Sequence, residues 1–210
     1  MAIALDQETT GGTPVLKRRD IGQRFRGAVI KFENRDLLKD DKPVLKDNGK
    51  PKQELVVHLL AIKSTMPAGI GGEEAPPEEG DIVRVILRGG GYGQWIDALK
   101  TLPRVVHVGD ILDMDTTHAV RFMSSGDFRE LGQFTTSEEI AAYKQGDEWM
   151  NRKETLGYRG SLSIRIPTDE EGDIVTKAEA AYHRLNKETI ALAPQGSGPF
   201  DNPASEEEPW

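Results

Sequence analysis

Apolar and polar residues alternate most clearly between residues 82 and 88. Val83, Val85 and Leu87 fall on one side of this stretch, and Arg84 and Arg88 fall on the other. Successive side chains of a strand point to opposite faces. The pattern therefore predicts a strand with one face in a core and two guanidinium groups on the other face.

A glycine-rich turn and a short helix are predicted after this strand. Glycines at positions 89, 90, 91 and 93 interrupt the strand pattern. Four apolar residues then recur at helical spacing and indicate an amphipathic helix of about ten residues that Pro103 ends. They are Trp95, Ile96, Leu99 and Leu102. Trp95 lies on the apolar face of this helix and is expected in the core. From Val105 to Phe122 the pattern returns to strands, with a bend at Gly109-Asp110.

Strands are also predicted on either side of this region. The first, Gln23 to Glu33, is long, and its mixed alternation predicts a bulge or a strong bend. The second, Leu55 to Ser64, is apolar on both faces and therefore central, with His58 expected to be a packed core residue. The last contains Leu162, Ile164 and Ile166.

The connecting segments have their own signals. Residues 34 to 54 form a charged excursion in which Asn48-Gly49 indicates a hairpin, so we expect a protruding ribbon. Residues 66 to 80 are rich in proline, glycine and glutamate without periodicity, which predicts a mobile loop. A long insertion to about Gly157 contains a helix with a capping box at Thr136 and Glu139, and a second capping box, at Thr176 and Glu179, predicts the C-terminal helix.

The order of these elements is strand, strand, strand, helix, strand, strand. It predicts a mainly β protein: a five-stranded OB-type barrel with a short helix between strands 3 and 4, a protruding hairpin, and a C-terminal helix and tail. We expect residues 1–16 to be a flexible arm and residues 17–192 to be the folded domain. Residues 193–210 are expected to be a disordered acidic tail.

Composition narrows the functional classes. The chain has 210 residues and no cysteine, which excludes disulfides, thiolate zinc sites and cysteine nucleophiles. The N-terminal sequence lacks a basic region before its short apolar run, and no later segment approaches 18 apolar residues. We therefore expect a cytoplasmic protein, located in the bacterial host cytoplasm if a phage encodes it.

Charge is distributed unevenly along the chain. The net charge is -8, yet residues 17 to 63 hold 13 Lys and Arg against 7 Asp and Glu, a balance of +6. Residues 169 to 210 hold 3 against 10, a balance of -7. This asymmetry favours a basic binding region followed by an acidic tail.

The basic and aromatic residues suit single-stranded nucleic acid, which proteins hold by cations along the phosphates and by flat side chains that stack on bases. The candidate cations are Arg24, Arg26, Lys46, Lys50, Lys52, Arg84, Arg88, Arg152 and Lys153. The candidate stacking residues are Phe32, Tyr92, Trp149 and Tyr158, each of which could instead pack in the core.

With the tail sequence EEEPW, Glu206 to Trp210, this topology resembles the bacterial and bacteriophage single-stranded DNA-binding proteins. The resemblance implies a barrel that coats exposed single-stranded DNA in replication, recombination and repair. It also implies a tail, Glu206, Glu207, Glu208, Pro209 and Trp210, that docks replication and recombination proteins, with Trp210 where many members have phenylalanine. We expect no enzymatic activity, no cofactor, no metal and no membrane partner. The sequence also allows a homo-oligomer.

Two alternatives stay open. Asp110, Asp113, Asp115 and His118 lie within nine residues, and carboxylates on one strand face could hold magnesium in a metal-dependent nuclease. A virion or scaffold protein could instead use an OB-like barrel only for assembly.

Overall fold

Strands dominate the part of the chain that the computed structural model describes, which comprises residues 12–39, 42–70, 73–123, 130–145 and 154–191. The strands are β1 Val15–Leu16, β2 Arg24–Asp36, β3 Leu38–Lys39, β4 Lys42–Pro43, β5 Gln53–Ser64, β6 Ala68–Ile70, β7 Glu73–Ala75, β8 Ile82–Leu87, β9 Ile111–Asp115, β10 His118–Met123, β11 Glu130–Phe134, β12 Glu154–Arg159 and β13 Leu162–Arg165. The helices are α1 Gly90–Lys100, α2 Ser137–Gln145 and α3 Gly172–Ala191, and a 3-10 turn spans Asp169–Glu171.

The strands form one mixed sheet and two small sheets. The large sheet has the order β13-β9-β2-β5-β8-β1-β6-β7, with only β1 and β8 parallel among these described pairs. The small sheets are β11-β10-β12 and β3-β4. The predicted mainly β class is confirmed.

The predicted closure into a five-stranded barrel is not observed. The five predicted strands correspond to β2, β5, β8, β9 and β13, and they pair in the order β13-β9-β2-β5-β8. Closure would require hydrogen bonds between β8 and β13. Instead, β1 lies parallel to β8, with Val15 opposite Arg84, and occupies that edge. The described sheet therefore remains open.

Of the bulge or strong bend predicted for the first strand, the bulge is confirmed. The pairing of β2 with β5 shifts register between Arg26 and Gly27 and again between Val29 and Lys31. A Cβ atom on Gly27 would lie 2.6 Å from the Phe25 ring and 2.8 Å from the Leu60 carbonyl oxygen. Only glycine accepts such a close approach. The bulged strand can thus supply side chains to cores on both faces of the sheet.

Two hydrophobic clusters lie on opposite faces of the sheet. Phe25 and Val29 belong to the first cluster, which also contains Trp95 of α1. Trp95 is 2% exposed, which confirms its predicted core position. Ala28 and Ile30 belong to the second cluster, which includes small residues of α3. Helices α1 and α3 therefore cover different faces of the large sheet.

Two predicted irregular segments contain short strands. Leu16 of the predicted arm pairs with Ala68, and the region predicted as a mobile loop supplies both β6 and β7. Lys17 and Arg19 also hold Glu74 of β7 through hydrogen bonds of 2.6 to 2.8 Å. These long-range contacts, which leave no periodic pattern in the sequence, order the described parts of both segments.

The helix boundaries require two corrections. Helix α1 begins at Gly90, so three of the glycines predicted to form the turn are helical and only Gly89, with φ 49°, precedes it. Helix α3 begins four residues before Thr176. The capping box that precedes it lies at Thr168 and Glu171, whereas the Thr176 hydroxyl donates to the Gly172 carbonyl. The predicted box at Thr136 and Glu139 is confirmed, with the Glu139 amide donating to the Thr136 hydroxyl at 3.2 Å.

Candidate nucleic-acid interface

Basic side chains line one face of β2, β5 and β8. Strand pairing puts Lys31, His58 and Arg84 in one row across the three strands. On the same face, four residues further along β2, Arg35 lies opposite Glu54. Arg88, just beyond β8, also reaches Glu54. We call the face that carries Lys31, Arg35, His58, Arg84 and Arg88 the outer sheet surface.

Glu54 binds two of the arginines of this surface, Arg35 and Arg88. The Nε atoms of Arg35 and Arg88 donate to its two carboxylate oxygens at 2.6 Å and 2.5 Å. Burial would raise the pKa of Glu54, but these hydrogen bonds outweigh that effect and lower it. One carboxylate thus orients two guanidinium groups that remain 45% and 57% exposed. The three groups together retain a positive charge that faces solvent.

His58 lies at the centre of the surface and is 8% exposed. Burial, together with the nearby cations Lys31 and Arg84, lowers its pKa to about 4, against the opposing effect of Glu33. Its predicted core position is confirmed. Its Nδ1 atom, however, has no hydrogen-bond partner among the described residues. The imidazole is therefore neutral at pH 7 in a positive field.

The ribbon lies next to this surface and forms a cleft with α1. The predicted turn is confirmed, since Gly49 has φ 75° and the Lys46 amide donates to the Lys50 carbonyl at 2.8 Å. Lys46, Lys52, Arg88 and Tyr92 line a cleft of about 430 Å³ between the ribbon and the first turn of α1. Four candidate residues from two distant stretches of sequence, residues 46–52 and 88–92, therefore meet here. Lys50, at the exposed turn, does not line this cleft.

Phe32 lies at the other end of α1. Its ring centroid is 5.4 Å from that of Trp95, with the ring planes tilted by 56°. Although one side of Phe32 contacts the core, the residue is 43% exposed. Tyr92, in contrast, is half-buried against the core. Both rings keep surface that could contact a base.

Arg24, Arg26 and Tyr158 lie apart from this group. The Arg26 Nε donates to Asp113 at 2.7 Å, and Arg24 lies opposite Asp115. Along β2, residues 28 and 30 separate them from Lys31 and pack against α3. Tyr158 belongs to the small sheet of the insertion, where burial and then the charge of Asp20 raise its pKa. These three candidates do not extend the outer sheet surface.

Several candidates lie outside the described residues. They are Trp149, Arg152 and Lys153 of the insertion and Glu206, Glu207, Glu208, Pro209 and Trp210 of the tail. Their assignments stay predictions from the sequence.

The acidic residues of the nuclease alternative are each engaged by protein donors. Asp110 is fully buried and accepts two hydrogen bonds from Arg104, at 2.6 Å and 2.8 Å. Asp113 binds Arg26, and Asp115 accepts from the amide and hydroxyl of Ser161. No group of three or more potential metal-binding side chains occurs within the described ranges. The geometry therefore gives the nuclease hypothesis no support.

Lys31, Arg35 and Glu54 were absent from the sequence-based candidates. Lys31, Glu33 and Arg35 alternate in the sequence, but the predicted strand stopped at Glu33, whereas β2 continues to Asp36. A longer strand would have revealed the same alternation. Glu54 could not be found in this way, because its role depends on cross-strand register.

Comparison with protein-family models, curated proteins and solved structures gives no significant match. None of the helices in the described part of the chain is long and apolar enough to cross a membrane.

Proposed function

We propose that this protein binds single-stranded DNA without sequence preference and coats exposed strands during replication or recombination. The observation that carries the proposal is the cleft in which Lys46, Lys52 and Arg88 surround Tyr92. Cations and an aromatic ring in one cleft are the two kinds of group that single strands require. The cleft is continuous with the outer sheet surface, because Arg88 belongs to both.

The strand connectivity supports an OB-type fold as part of this proposal. Leaving aside the short strands between them, β2, β5, β8, α1, β9 and β13 follow the OB order, and the pairing of these five strands lacks only the contact that closes the barrel. Such folds bind oligonucleotides on the face of strands 2 and 3. Here that face belongs to β5 and β8, which carry His58 and Arg84.

The charge separation also supports the proposal. A basic region near residues 17 to 63 can follow phosphates, although the whole chain has a net charge of -8. The acidic tail with its final Pro209 and Trp210 is proposed to recruit replication and recombination proteins. It would also compete with DNA for the basic surface, so deletion of residues 201–210 is expected to raise the affinity for single strands at low salt.

The test is a fluorescence anisotropy titration of a labelled 30-nucleotide oligo-dT at two salt concentrations, repeated with a duplex of the same length. We expect binding to the single strand that weakens with salt, and little binding to the duplex. Absence of binding to oligo-dT at low salt would contradict the proposal. Formation of large oligomers indifferent to DNA would favour an assembly protein instead.

A matched pair of variants tests the cleft within the same ribbon. In the first variant Lys46→Gln and Lys52→Gln remove two charges from the cleft. In the control Lys39→Gln and Lys42→Gln remove two charges from the exposed β3-β4 pair. The cleft variant should lose about tenfold more affinity for oligo-dT than the control, since a phosphate contact contributes most when it is close and partly desolvated. Equal losses would indicate that the ribbon acts only through its general charge.

A further inference from the structure

Two buried nitrogen atoms on the outer sheet surface lack hydrogen-bond partners. They are the Nδ1 atom of His58 and the Nε atom of Arg84, and neither has a partner among the described residues. A buried polar atom left without a partner destabilises the folded protein, because it has lost its hydrogen bonds to water and gained none in return. Such atoms are uncommon in folded proteins and often mark a missing ligand or water.

The two atoms belong to neighbouring side chains. His58 lies directly opposite Arg84 on one side and Lys31 on the other. Side chains directly opposite each other in a sheet have Cβ atoms about 4.5 to 5.5 Å apart. Lys31, His58 and Arg84 therefore form a continuous row of nitrogen-bearing groups across three strands.

The row has no balancing acid of its own. Within the described residues neither Lys31 nor Arg84 forms an ion pair with a carboxylate, unlike Arg35 and Arg88, which share Glu54. The charged neighbours that influence His58 are Lys31, Arg84, Arg35 and one opposing acid, Glu33. The net charge of these groups around the imidazole is positive, and a bound anion would neutralise part of it.

We infer that Lys31, His58 and Arg84 form a phosphate-binding site at the centre of the outer sheet surface. The two cations supply the charge, Arg84 supplies a guanidinium that can donate to phosphate oxygens, and His58 supplies a neutral N–H donor. The assignment of this phosphate to the backbone of a single strand rests on the proposed function. The anion site itself does not.

The experiment follows the His58 imidazole by 15N-correlated NMR in the full chain, with inorganic phosphate and oligo-dT titrated separately. Saturable shifts of the His58 signals with phosphate, absent in Lys31→Gln and Arg84→Gln, are the expected result. The control Lys144→Gln removes an exposed charge of α2 and should leave these shifts unchanged. Shifts with neither phosphate nor oligo-dT would overturn the inference.

Anisotropy on the same variants separates this inference from the proposed function. We expect Lys31→Gln and Arg84→Gln each to weaken oligo-dT binding at least fivefold relative to Lys144→Gln. If oligo-dT binds the native protein and all three variants equally well, the site is wrong and the proposed function stands. If phosphate shifts His58 but oligo-dT does not bind, the anion site stands for free phosphate and the proposed function is wrong.

Discussion

The exposed ring of Phe32 packs against the buried ring of Trp95, with their centroids 5.4 Å apart. Trp95 is a residue of α1 that lies buried in the hydrophobic core, whereas Phe32 presents 43% of its surface to solvent. The contact restrains one side of the Phe32 ring. A base that stacks on it would meet a ring already ordered by the core, which lowers the entropic cost of binding.

We expect Phe32→Leu to weaken oligo-dT binding about fivefold or more, because base stacking on an aromatic ring contributes about 1 to 3 kcal/mol. Leucine keeps the apolar contact with Trp95, so the thermal midpoint should change little. The control is Val105→Ala, which alters an apolar residue that is 77% exposed and that lines, with Phe32, a separate surface depression beside the C-terminal end of α1. Equal affinity of Phe32→Leu and the native protein would show that Phe32 does not stack.

Glu54→Gln should change stability and affinity in opposite directions. Loss of the carboxylate leaves Arg35 and Arg88 without their shared partner, and we expect the free energy of unfolding to fall by about 1 to 2 kcal/mol. This is less than for a fully buried pair, since both guanidinium groups are half-exposed. The removed negative charge should raise oligo-dT affinity about two- to fivefold.

Glu33→Gln is the matched control for this effect. Glu33 is an exposed acid on the neighbouring strand β2 and makes no ion pair among the described residues. Its replacement should raise affinity similarly without the loss of stability, as measured by urea unfolding and anisotropy. If Glu54→Gln weakens DNA binding, orientation of the two guanidinium groups matters more than net charge.

The lowered pKa of His58 should make the stability of the folded protein depend on pH. Its pKa is about 4 in the folded protein, below the ordinary 6.5 expected in the unfolded chain. Between these values the unfolded chain binds a proton that the folded protein does not, so stability falls as the pH decreases from 6.5 to 4. The loss should approach about 2 to 3 kcal/mol, since one pKa unit corresponds to about 1.4 kcal/mol.

The measurement is urea unfolding of the native protein and of His58→Gln across this range, in buffers free of phosphate. Carboxylates such as Glu74, with a pKa of about 2, contribute to acid sensitivity in both proteins and cancel in the comparison. The glutamine variant should lose less stability on acidification. Parallel curves would mean that the pKa of His58 is near its ordinary value.

The start of α3 supplies an independent test of the fold. A hydrogen bond from Arg165, and then one from the Thr168 amide, lower the pKa of Glu171 to about 2. The charged form thus stabilises the folded protein above pH 4.5, and this stabilisation disappears as the pH falls toward 2. Glu171→Gln should cost about 1 kcal/mol at pH 7. Glu170→Gln, at an exposed neighbouring site, should cost little in thermal unfolding.

Much of the large sheet could be predicted because its strands are defined by local alternation. Val83, Val85 and Leu87 face the core and Arg84 faces outward, as the pattern indicates. The pairing of β1 with β8 could not be predicted, since a two-residue strand has no periodicity and depends on the edge that receives it. Because β1 occupies the edge of β8 that closure would need, the barrel predicted from the strand order is not closed.

The candidate site was predicted in part for a similar reason. Lys46, Lys52, Arg88 and Tyr92 were selected by residue type, and the hairpin turn and the start of α1 bring them together. His58 was correctly predicted to be buried, but its unpartnered Nδ1 atom depends on the side chains opposite it. Sequence alternation fixes which face a residue occupies, whereas cross-strand register fixes its neighbours.

The most direct test of the account is ultraviolet cross-linking of the protein to a 30-nucleotide single strand that contains 5-bromodeoxyuridine, with the adducts mapped by mass spectrometry. The account predicts adducts on peptides that contain His58, on the outer sheet surface, and Tyr92, in the cleft, reduced by an excess of unlabelled oligo-dT and not by duplex. Absence of adducts, or adducts confined to the small sheet of β10, β11 and β12, would contradict binding on the outer sheet surface and its cleft.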